Sequence, residues 1–468
     1  MTKFNSEEVQ GNILRGYRKN NVRHIMLEVT DRGKARQFLA QSADGDHPQD
    51  VPTITRSANW DDAPQVCFNV GITFEGLRAL GLPRRSLETF PTEYKEGMAI
   101  RAIKLGDVGA SAPEKWPAPF RELDRIHLVV SIYSNDTGDF DKVEAQVAKA
   151  FGVLGVRNGR NLPEGKVFFG YKDGISQPKF KHIFDPEQVD ANEPKDPLGT
   201  VLLGYPTNLE GVEFTVPYPK EVFCNGAFNA FRVLKQDSAG FEDYLTKVAD
   251  KLMTHPDVEK LLPEGAEKDI CGGIGRRDAL REVVAAQMCG RWRNGTAYEL
   301  SPNSDKDDGI SATNFDYTRS SRCPAGAHMR RANPRGGPIV QRIANHSRRL
   351  VRRGMSYGPD FDQAPRTVEN DKAERGLLGN FIGANYGAQF EAVVCDWINY
   401  GLQDPNITGT NDPLLGANVT ETSAFDLTLS GGGTIRLSEF PRFVETRGGA
   451  YTFLPSLPAI RYLSKLTG

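Results

Sequence analysis

The chain has 468 residues, a length that favours two domains, each large enough to bury a core of its own. Its 58 lysines and arginines against 60 aspartates and glutamates leave a formal net charge of -2, which gives no global electrostatic case for a nucleic acid or an anionic membrane as partner. The N-terminus lacks the apolar core of a secretory signal, and no later run reaches the roughly 18 apolar residues that a membrane span needs. We therefore expect a soluble, cytoplasmic protein.

The first 160 residues alternate short runs rich in Val and Ile with amphipathic stretches of helical spacing. The predicted strands are "RHIMLEV", "QVCFNVGITF", "RIHLVVSIYS" and the shorter "GVRNGR". The predicted helices between them are "KARQFLAQSA", "EGLRAL" and "DFDKVEAQVAKAF". This order is typical of a ferredoxin-like α+β unit, so we predict an N-terminal domain over residues 1–185.

An acidic, proline-containing segment at about 185–200 predicts a connecting loop, and a second α+β unit follows over residues 200–468. Its predicted strands are "GTVLLGY", "GAFNAFRVLKQD", "GLLGNFIGANY" and "YTFLPSL". Its predicted helices are "GFEDYLTKVADKLMTH", "DALREVVAAQMCGRW", "AQFEAVVCDWINYG" and a terminal one around "AIRYLSKL". A long region rich in Gly, Arg and Pro, at about 300–370, fits no simple element, and such loops are commonly functional.

Asp173 lies in "FFGYKDGISQP", between two turn-forming stretches. Gly170 and Gly174 allow backbone conformations that other residues resist, and they let a ligand approach the main chain closely. Asp173 is therefore a candidate for a presented functional carboxylate. The alternative is an ordinary turn in which Asp173 bonds its own backbone.

His328 lies in "CPAGAHMRRANPR", and arginines cluster around it and in "HSRRLVRRG". No HExxH motif and no CxxC pair occur among the seven histidines and six cysteines, so neither a non-haem metal centre nor a zinc site is indicated. A single histidine can nevertheless ligate haem iron, because the porphyrin supplies four ligands. The arginines would then bind the propionates. The alternatives are a satisfied core histidine and a solvated basic face.

Several segments resemble those of one haem family. "GYKDG" at 170–174, followed by "ISQP", resembles the GxxDG signature of the dye-decolourising peroxidases. "CPAGAHMRRANPR" is similar to that family's proximal-histidine segment, and "RRLVRRGMSYG" at 348–358 to the segment that holds its distal arginine. Further similar segments are "QGNIL", "ERGLL", "QFEAVVCDW" and "YTFLPSLPAIRYL". Because the segments follow the family's order over nearly the whole chain, the resemblance is far more specific than any one of them.

The resemblance implies an α+β fold of two ferredoxin-like domains with antiparallel sheets, and one haem b per chain in the C-terminal domain. His328 would be the proximal iron ligand, with Asp173 and Arg352 on the opposite, distal face. Asp173 would act as base and then acid toward peroxide, and Arg352 would stabilise negative charge as the O–O bond breaks. Arg349 and Arg353 compete with Arg352 for the distal position. The residues expected to bind the cofactor are His328, Arg349, Gly174, Ile175 and Ser176.

A carboxylate that accepts the second N–H of His328 would make the imidazole a stronger electron donor. Glu391 is the first candidate for this second-shell role and Asp396 the competitor. The alternative for either residue is an ordinary helix-surface carboxylate.

The sequence therefore predicts a haem peroxidase that reduces hydrogen peroxide and oxidises small aromatic reductants, phenolic or dye-like, in one-electron steps. One alternative is a haem-binding or haem-handling protein with incidental peroxidase activity, and another is a haem-free interaction module. An acid-base group over the iron favours the enzyme, because a carrier does not need one. Bulky donors would need surface aromatics, most of which we expect to be core residues: Trp60, Trp116, Trp292, Trp397, Tyr357, Tyr386 and Tyr451.

Overall fold

Eight antiparallel strands close into a barrel in the computed structural model, which describes residues 4–45, 50–57, 63–181, 183, 195–306, 312–319, 322–337, 346–361 and 373–466. The strands in chain order are β1 (Asn21–Glu28), β2 (Cys67–Ile72), β3 (Leu128–Ser134), β4 (Gly152–Arg160), β5 (Ala227–Gln236), β6 (Val351–Tyr357), β7 (Gly376–Gly383), β8 (Ala424–Thr428), β9 (Thr434–Ser438) and β10 (Val444–Leu454). The order around the barrel is β1, β3, β2, β10, β5, β7, β6, β4, while β8 and β9 form a separate hairpin.

Helical segments connect the strands. They are α1 (Gly11–Leu14), α2 (Arg32–Asp44), α3 (Phe74–Ala79), α4 (Arg84–Leu87), α5 (Thr92–Ile100), α6 (Gly138–Val147), α7 (Lys220–Phe223), α8 (Ser238–Leu252), α9 (Val258–Leu261), α10 (Arg276–Cys289), α11 (His328–Ala332), a π-helix (Tyr386–Asn399) and α12 (Leu457–Ser464). Local signals explain their limits: Asp31 caps the start of α2, and Gly290, at φ 90°, ends α10. None of the helices within the described ranges is long and apolar enough to cross a membrane.

The two halves of the barrel repeat one strand order. In the first half the order is β4, β1, β3, β2, and in the second it is β10, β5, β7, β6, so each half has the 4-1-3-2 order of a ferredoxin-like unit. The predicted α+β class with two such units and antiparallel sheets is confirmed. The domain limits at residues 185 and 200 stay a prediction, and most of the segment between them lies outside the described residues.

The halves join where the edge strands meet. β2 pairs with β10 through Ile72 and Phe453, and β4 pairs with β6 through Arg160 and Ser356. One hydrophobic core spans both halves, because Tyr94 of the first half packs on Phe228 and Tyr386 of the second. A second core lies among α8, α10 and the β8–β9 hairpin.

Two sequence predictions differ from the structure. The apolar run "GTVLLGY" is not a strand: a 3-10 turn covers Leu198–Thr200, and a Cβ at Gly199 would lie only 2.1 Å from the carbonyl oxygen of Tyr205. The run packs as a compact turn in a buried apolar cluster, and this burial explains its apolar composition. Strand β6 was not predicted, because adjacent arginines interrupt its alternating pattern.

Candidate active site

A cavity of about 520 Å³ gathers the residues that the sequence singled out. Its wall includes His328 of α11, the segment from Asp173 to Gln177, and Arg352 of β6. Apolar side chains of β7 and the π-helix complete the wall, among them Phe381 and Phe390. Asp173 and Arg352, which are 179 positions apart in the chain, therefore line one cavity.

His328 is held by a carboxylate that the sequence did not indicate. Its Nδ1 lies 2.9 Å from Oδ2 of Asp412, whose side chain is fully buried. The other carboxylate oxygen accepts the backbone N–H groups of Leu414 and Leu415, each at 2.8 Å. Burial alone would raise the pKa of Asp412, but the charge and hydrogen bond of His328 lower it below its ordinary value. Asp412 is thus a fixed acceptor, which directs Nε2 of His328 away from it.

Asp412 occupies the position at His328 Nδ1 that was predicted for Glu391 or Asp396. Glu391 is fully buried, but it accepts hydrogen bonds from Arg101 Nε and the Tyr451 hydroxyl, both at 2.9 Å. Asp396 accepts from Arg348 at 2.8 Å. Each carboxylate is occupied by a cation elsewhere, while Asp412 takes the histidine. Asp412 stands 84 positions from His328 in a loop without periodicity, so no spacing rule could have linked the two.

Turn geometry presents Asp173 at the cavity. Gly170 and Gly174 have φ angles of 82° and 74°, conformations that favour glycine. The Asp173 N–H donates to the carbonyl of Gly165 at 2.8 Å, which fixes the backbone at this point. Gly174, Ile175 and Ser176, the other residues expected to bind the cofactor, line the same cavity.

Gln177 ties this segment to β6. Its Nε2 donates to the Arg352 carbonyl at 2.9 Å, and its Oε1 accepts the Arg352 N–H at 3.1 Å. The Arg352 guanidinium also donates to the carbonyl of Ser176. Both Arg352 and Asp173 act on the pKa of His328, Arg352 lowering it and Asp173 raising it. Arg352 is therefore tied to the segment that carries Asp173, and both residues lie within electrostatic range of the histidine.

The three competing arginines occupy different places. Adjacent residues of a strand point to opposite faces, so Arg353 points away from the face that carries Arg352. The Arg353 Nε donates to the Asn12 carbonyl at 2.9 Å, on the barrel side. Arg349 contacts His346 at 2.9 Å and Asp196 at 3.4 Å. Arg349 also reaches Ser176 Oγ, at 3.5 Å, whereas Arg352 is bonded to the Asp173 segment through both its backbone and its guanidinium.

The residues around the cavity fit a haem group. The cavity offers one imidazole, whose Nδ1 is already bonded to Asp412, and the guanidinium groups of Arg348 and Arg349. Its other walls are largely apolar. This combination matches a porphyrin with two carboxylates better than a bare ion, which needs several protein ligands. Among the residues described, no cluster of three or more potential metal-ligating side chains occurs.

The aromatic candidates for electron transfer are core residues where the structure describes them. Trp116, Trp292 and Trp397 are buried, as are Tyr357, Tyr386 and Tyr451. This confirms the expectation that large aromatics serve mainly as packing. Trp60 lies outside the described residues.

Comparison with known proteins finds similarity to dye-decolorizing peroxidases. Residues 8–155 match the family model of the DyP dimeric alpha+beta barrel domain. A dye-decolorizing peroxidase of Exidia glandulosa is 25% identical over 98% of this chain and 87% of its own length. The dye-decolorizing peroxidase msp1 of Mycetinis scorodonius is 28% identical with the same coverage, and the multifunctional dye peroxidase DyP2 of an Amycolatopsis strain is 26% identical over 98% of this chain and 95% of its own length.

Solved structures agree with these relatives. A dye-decolorizing peroxidase in complex with 2,6-dimethoxyphenol superimposes with a TM-score of 0.79 at 25% identity, covering 98% of this chain and 100% of that one. Sequence, fold and site thus lead to one conclusion: over nearly its whole length the chain is similar to the dye-decolorizing peroxidases.

Proposed function

We propose that this protein binds one haem b per chain and reduces hydrogen peroxide, oxidising small phenolic or dye-like donors in one-electron steps. The observation that carries the proposal is the shared cavity, in which the His328–Asp412 pair lies within electrostatic range of Asp173 and Arg352. Its relatives are named as dye peroxidases, and one related structure holds 2,6-dimethoxyphenol.

On the proximal side, His328 would ligate the iron through Nε2. Asp412 keeps the imidazole proton on Nδ1, because its oxygen accepts there, and this leaves Nε2 with a free electron pair. Arg349, with Gly174, Ile175 and Ser176, would hold the margin of the porphyrin and its carboxylates. Haem, when bound, supplies the redox chemistry of iron.

On the distal side, Asp173 would accept a proton from one oxygen of peroxide and return it to the oxygen that leaves as water. The Arg352 guanidinium would stabilise the negative charge that develops during O–O cleavage. The two hydrogen bonds of Gln177 hold Asp173 and Arg352 in position relative to each other, since they fix the Arg352 backbone to the segment that carries Asp173.

The proposal is tested by reconstituting the purified protein with haem and mixing it with one equivalent of peroxide in a stopped-flow spectrometer. We expect a Soret band that changes promptly and returns to its starting position when 2,6-dimethoxyphenol is added. A band that peroxide only bleaches slowly would favour the alternative of a haem-handling protein. The absence of a Soret band after reconstitution would refute haem binding altogether.

A further inference from the structure

One guanidinium at the cavity, that of Arg353, is partly exposed and has no carboxylate partner among the described residues. Arg353 donates from Nε to the Asn12 carbonyl at 2.9 Å, and its Nη1 lies 3.4 Å from the Arg352 carbonyl. Burial lowers the pKa of Arg353 to about 10. Even partial burial of a charge is costly unless an opposite charge is nearby.

Polar atoms without partners surround this guanidinium. Asn380 stands directly opposite Arg353 in the β6–β7 ladder, so the two side chains share one face of the sheet. Within the described residues, the Nδ2 of Asn380, the hydroxyl of Tyr133 and the Oδ1 of Asn12 make no hydrogen bond of normal geometry. These three residues are 2%, 5% and 3% exposed. Buried polar groups in native proteins nearly always have partners, so the cluster indicates a bound species.

Water alone would satisfy the hydrogen bonds but not the charge. The acidic groups that act on the pKa of Arg353 are the phenols of Tyr133 and Tyr17. Burial raises the pKa of Tyr133 to about 12 and that of Tyr17 well above its ordinary value, so both phenols are neutral at physiological pH. No group of the described residues therefore supplies the negative charge that Arg353 lacks.

The same cavity offers a way in for an anion. It reaches Arg18, Lys19 and Asn161 at the end of the barrel, where Arg18 and Asn161 are exposed. Arg18 and Lys19 at the mouth and Arg353 inside carry positive charge, which favours the entry of anions into this part of the cavity. Arg352 and Asp173 line another part of this cavity, on the other face of β6.

We propose that the barrel interior holds a second site, for a small planar oxyanion such as a carboxylate or nitrate. The guanidinium of Arg353 matches such an ion with parallel N–H donors, and Tyr133 and Asn380 supply further donors. The site is distinct from the haem face, because it depends on Arg353 and not on Arg352, and it does not depend on the proposed peroxidase reaction.

Calorimetric titration of the haem-loaded protein with sodium nitrate tests the proposal, with the Soret spectrum followed in parallel. We expect one nitrate per chain and no Soret shift. Arg353→Met should weaken binding by more than about tenfold, since it removes a charge-assisted contact. Tyr133→Phe should weaken nitrate binding roughly fivefold, which corresponds to the loss of one neutral hydrogen bond. This second variant tests the site even if Arg353→Met does not fold.

Arg85→Met is the matched control, because Arg85 also lies beside a tyrosine, Tyr218, at 5.4 Å from the ring centre, but on the surface. It should bind nitrate as the unaltered protein does. Acetate and benzoate in place of nitrate separate a site for inorganic ions from one that takes the carboxylate of an organic acid. Nitrate binding that survives both Arg353→Met and Tyr133→Phe, or that always shifts the Soret band, would overturn the proposal.

Discussion

Asp173 and Asp412 are both carboxylates at the cavity, yet their surroundings give them opposite tasks. Asp412 is fully buried and has acceptors committed to His328 and two backbone amides. Asp173 is exposed at the cavity in a turn shaped by glycines. A fixed carboxylate can orient a neighbour, whereas a presented one can exchange protons with a ligand.

Replacement of the presented carboxylate should separate haem binding from reaction. We expect Asp173→Asn to retain haem with an unchanged absorption spectrum and to slow the reaction with peroxide by about 10²- to 10⁴-fold, because an amide cannot shuttle the proton. Stopped-flow absorbance gives the rate. Asp136→Asn, in another turn where the aspartate accepts from Gly138, is the control and should react at the normal rate. An equal rate in both variants would assign the proton transfer elsewhere.

Replacement of the fixed carboxylate should instead weaken haem retention. In Asp412→Asn an amide N–H would face Nδ1 of His328, which moves the imidazole proton to Nε2 and blocks ligation. We expect haem affinity to fall about 10- to 100-fold, measured by transfer of haem to apomyoglobin.

Glu391→Gln is the isosteric comparison for Asp412→Asn. It breaks the ion pair with Arg101, so it should lower the melting temperature and leave haem transfer unchanged. Faster haem loss from Glu391→Gln than from Asp412→Asn would contradict the arrangement around His328.

The site residues that sequence reasoning could find are those within short continuous motifs. Asp173, His328 and Arg352 each lie in a segment whose neighbours carry the signal. Asp412 could not be found, because its partner is distant in the chain and its own loop has no periodicity. Glu391 was favoured for its place in a helix near the site, and no pattern in the sequence reveals its ion pair with Arg101.

Among the elements, β6 does the most to organise the site. Its alternation sends Arg352 to one side and Arg353 to the other, and Gly354 faces Gly379 of β7 across the ladder. Sequence patterns found strands such as β3 and β5, which are rich in buried β-branched or aromatic residues. They missed β6, because a strand with arginines on both faces loses the apolar alternation on which prediction depends.

The link between β6 and the Asp173 segment can be cut with a single change. Gln177→Ala removes both hydrogen bonds to the Arg352 backbone, so the two distal groups lose their common support. We expect haem to be retained and the peroxide reaction to slow by about 10- to 100-fold, through misplacement of the catalytic groups. Hydrogen exchange at the Arg352 amide should become faster.

The control for this change is Gln65→Ala, which removes a hydrogen bond to Asp139 and should alter neither measurement. Unchanged kinetics in Gln177→Ala, together with faster exchange at the Arg352 amide, would mean that the two Gln177 hydrogen bonds have no part in catalysis.

At the scale of the molecule, a buried ion pair joins the two halves. Asp107, in the connection between α5 and β3, accepts from Arg232 of β5 at 2.6 and 2.7 Å, and both side chains are almost inaccessible. Thr446 of β10 bonds both partners. Together with the shared core, these contacts make the halves one cooperative unit.

Asp107→Asn should therefore destabilise the whole protein and not one half. It leaves the Arg232 charge buried without its partner, which costs about 3 to 5 kcal/mol of unfolding free energy. We expect a single calorimetric transition at a lower temperature. Asp141→Asn, whose side chain is 80% exposed beside Arg23, is the control and should shift the transition little. Two separate transitions would show that the halves unfold independently.

Closure of the barrel has a consequence for how such a chain can be rearranged. Each half alone would have two bare edges, β2 and β4 in one, β10 and β6 in the other, and bare edges recruit foreign strands. In the intact chain the edge strands of each half pair with those of the other half. Neither half could therefore be transferred to another protein as an independent domain. A gene duplication that joined two such units would have had to retain both copies.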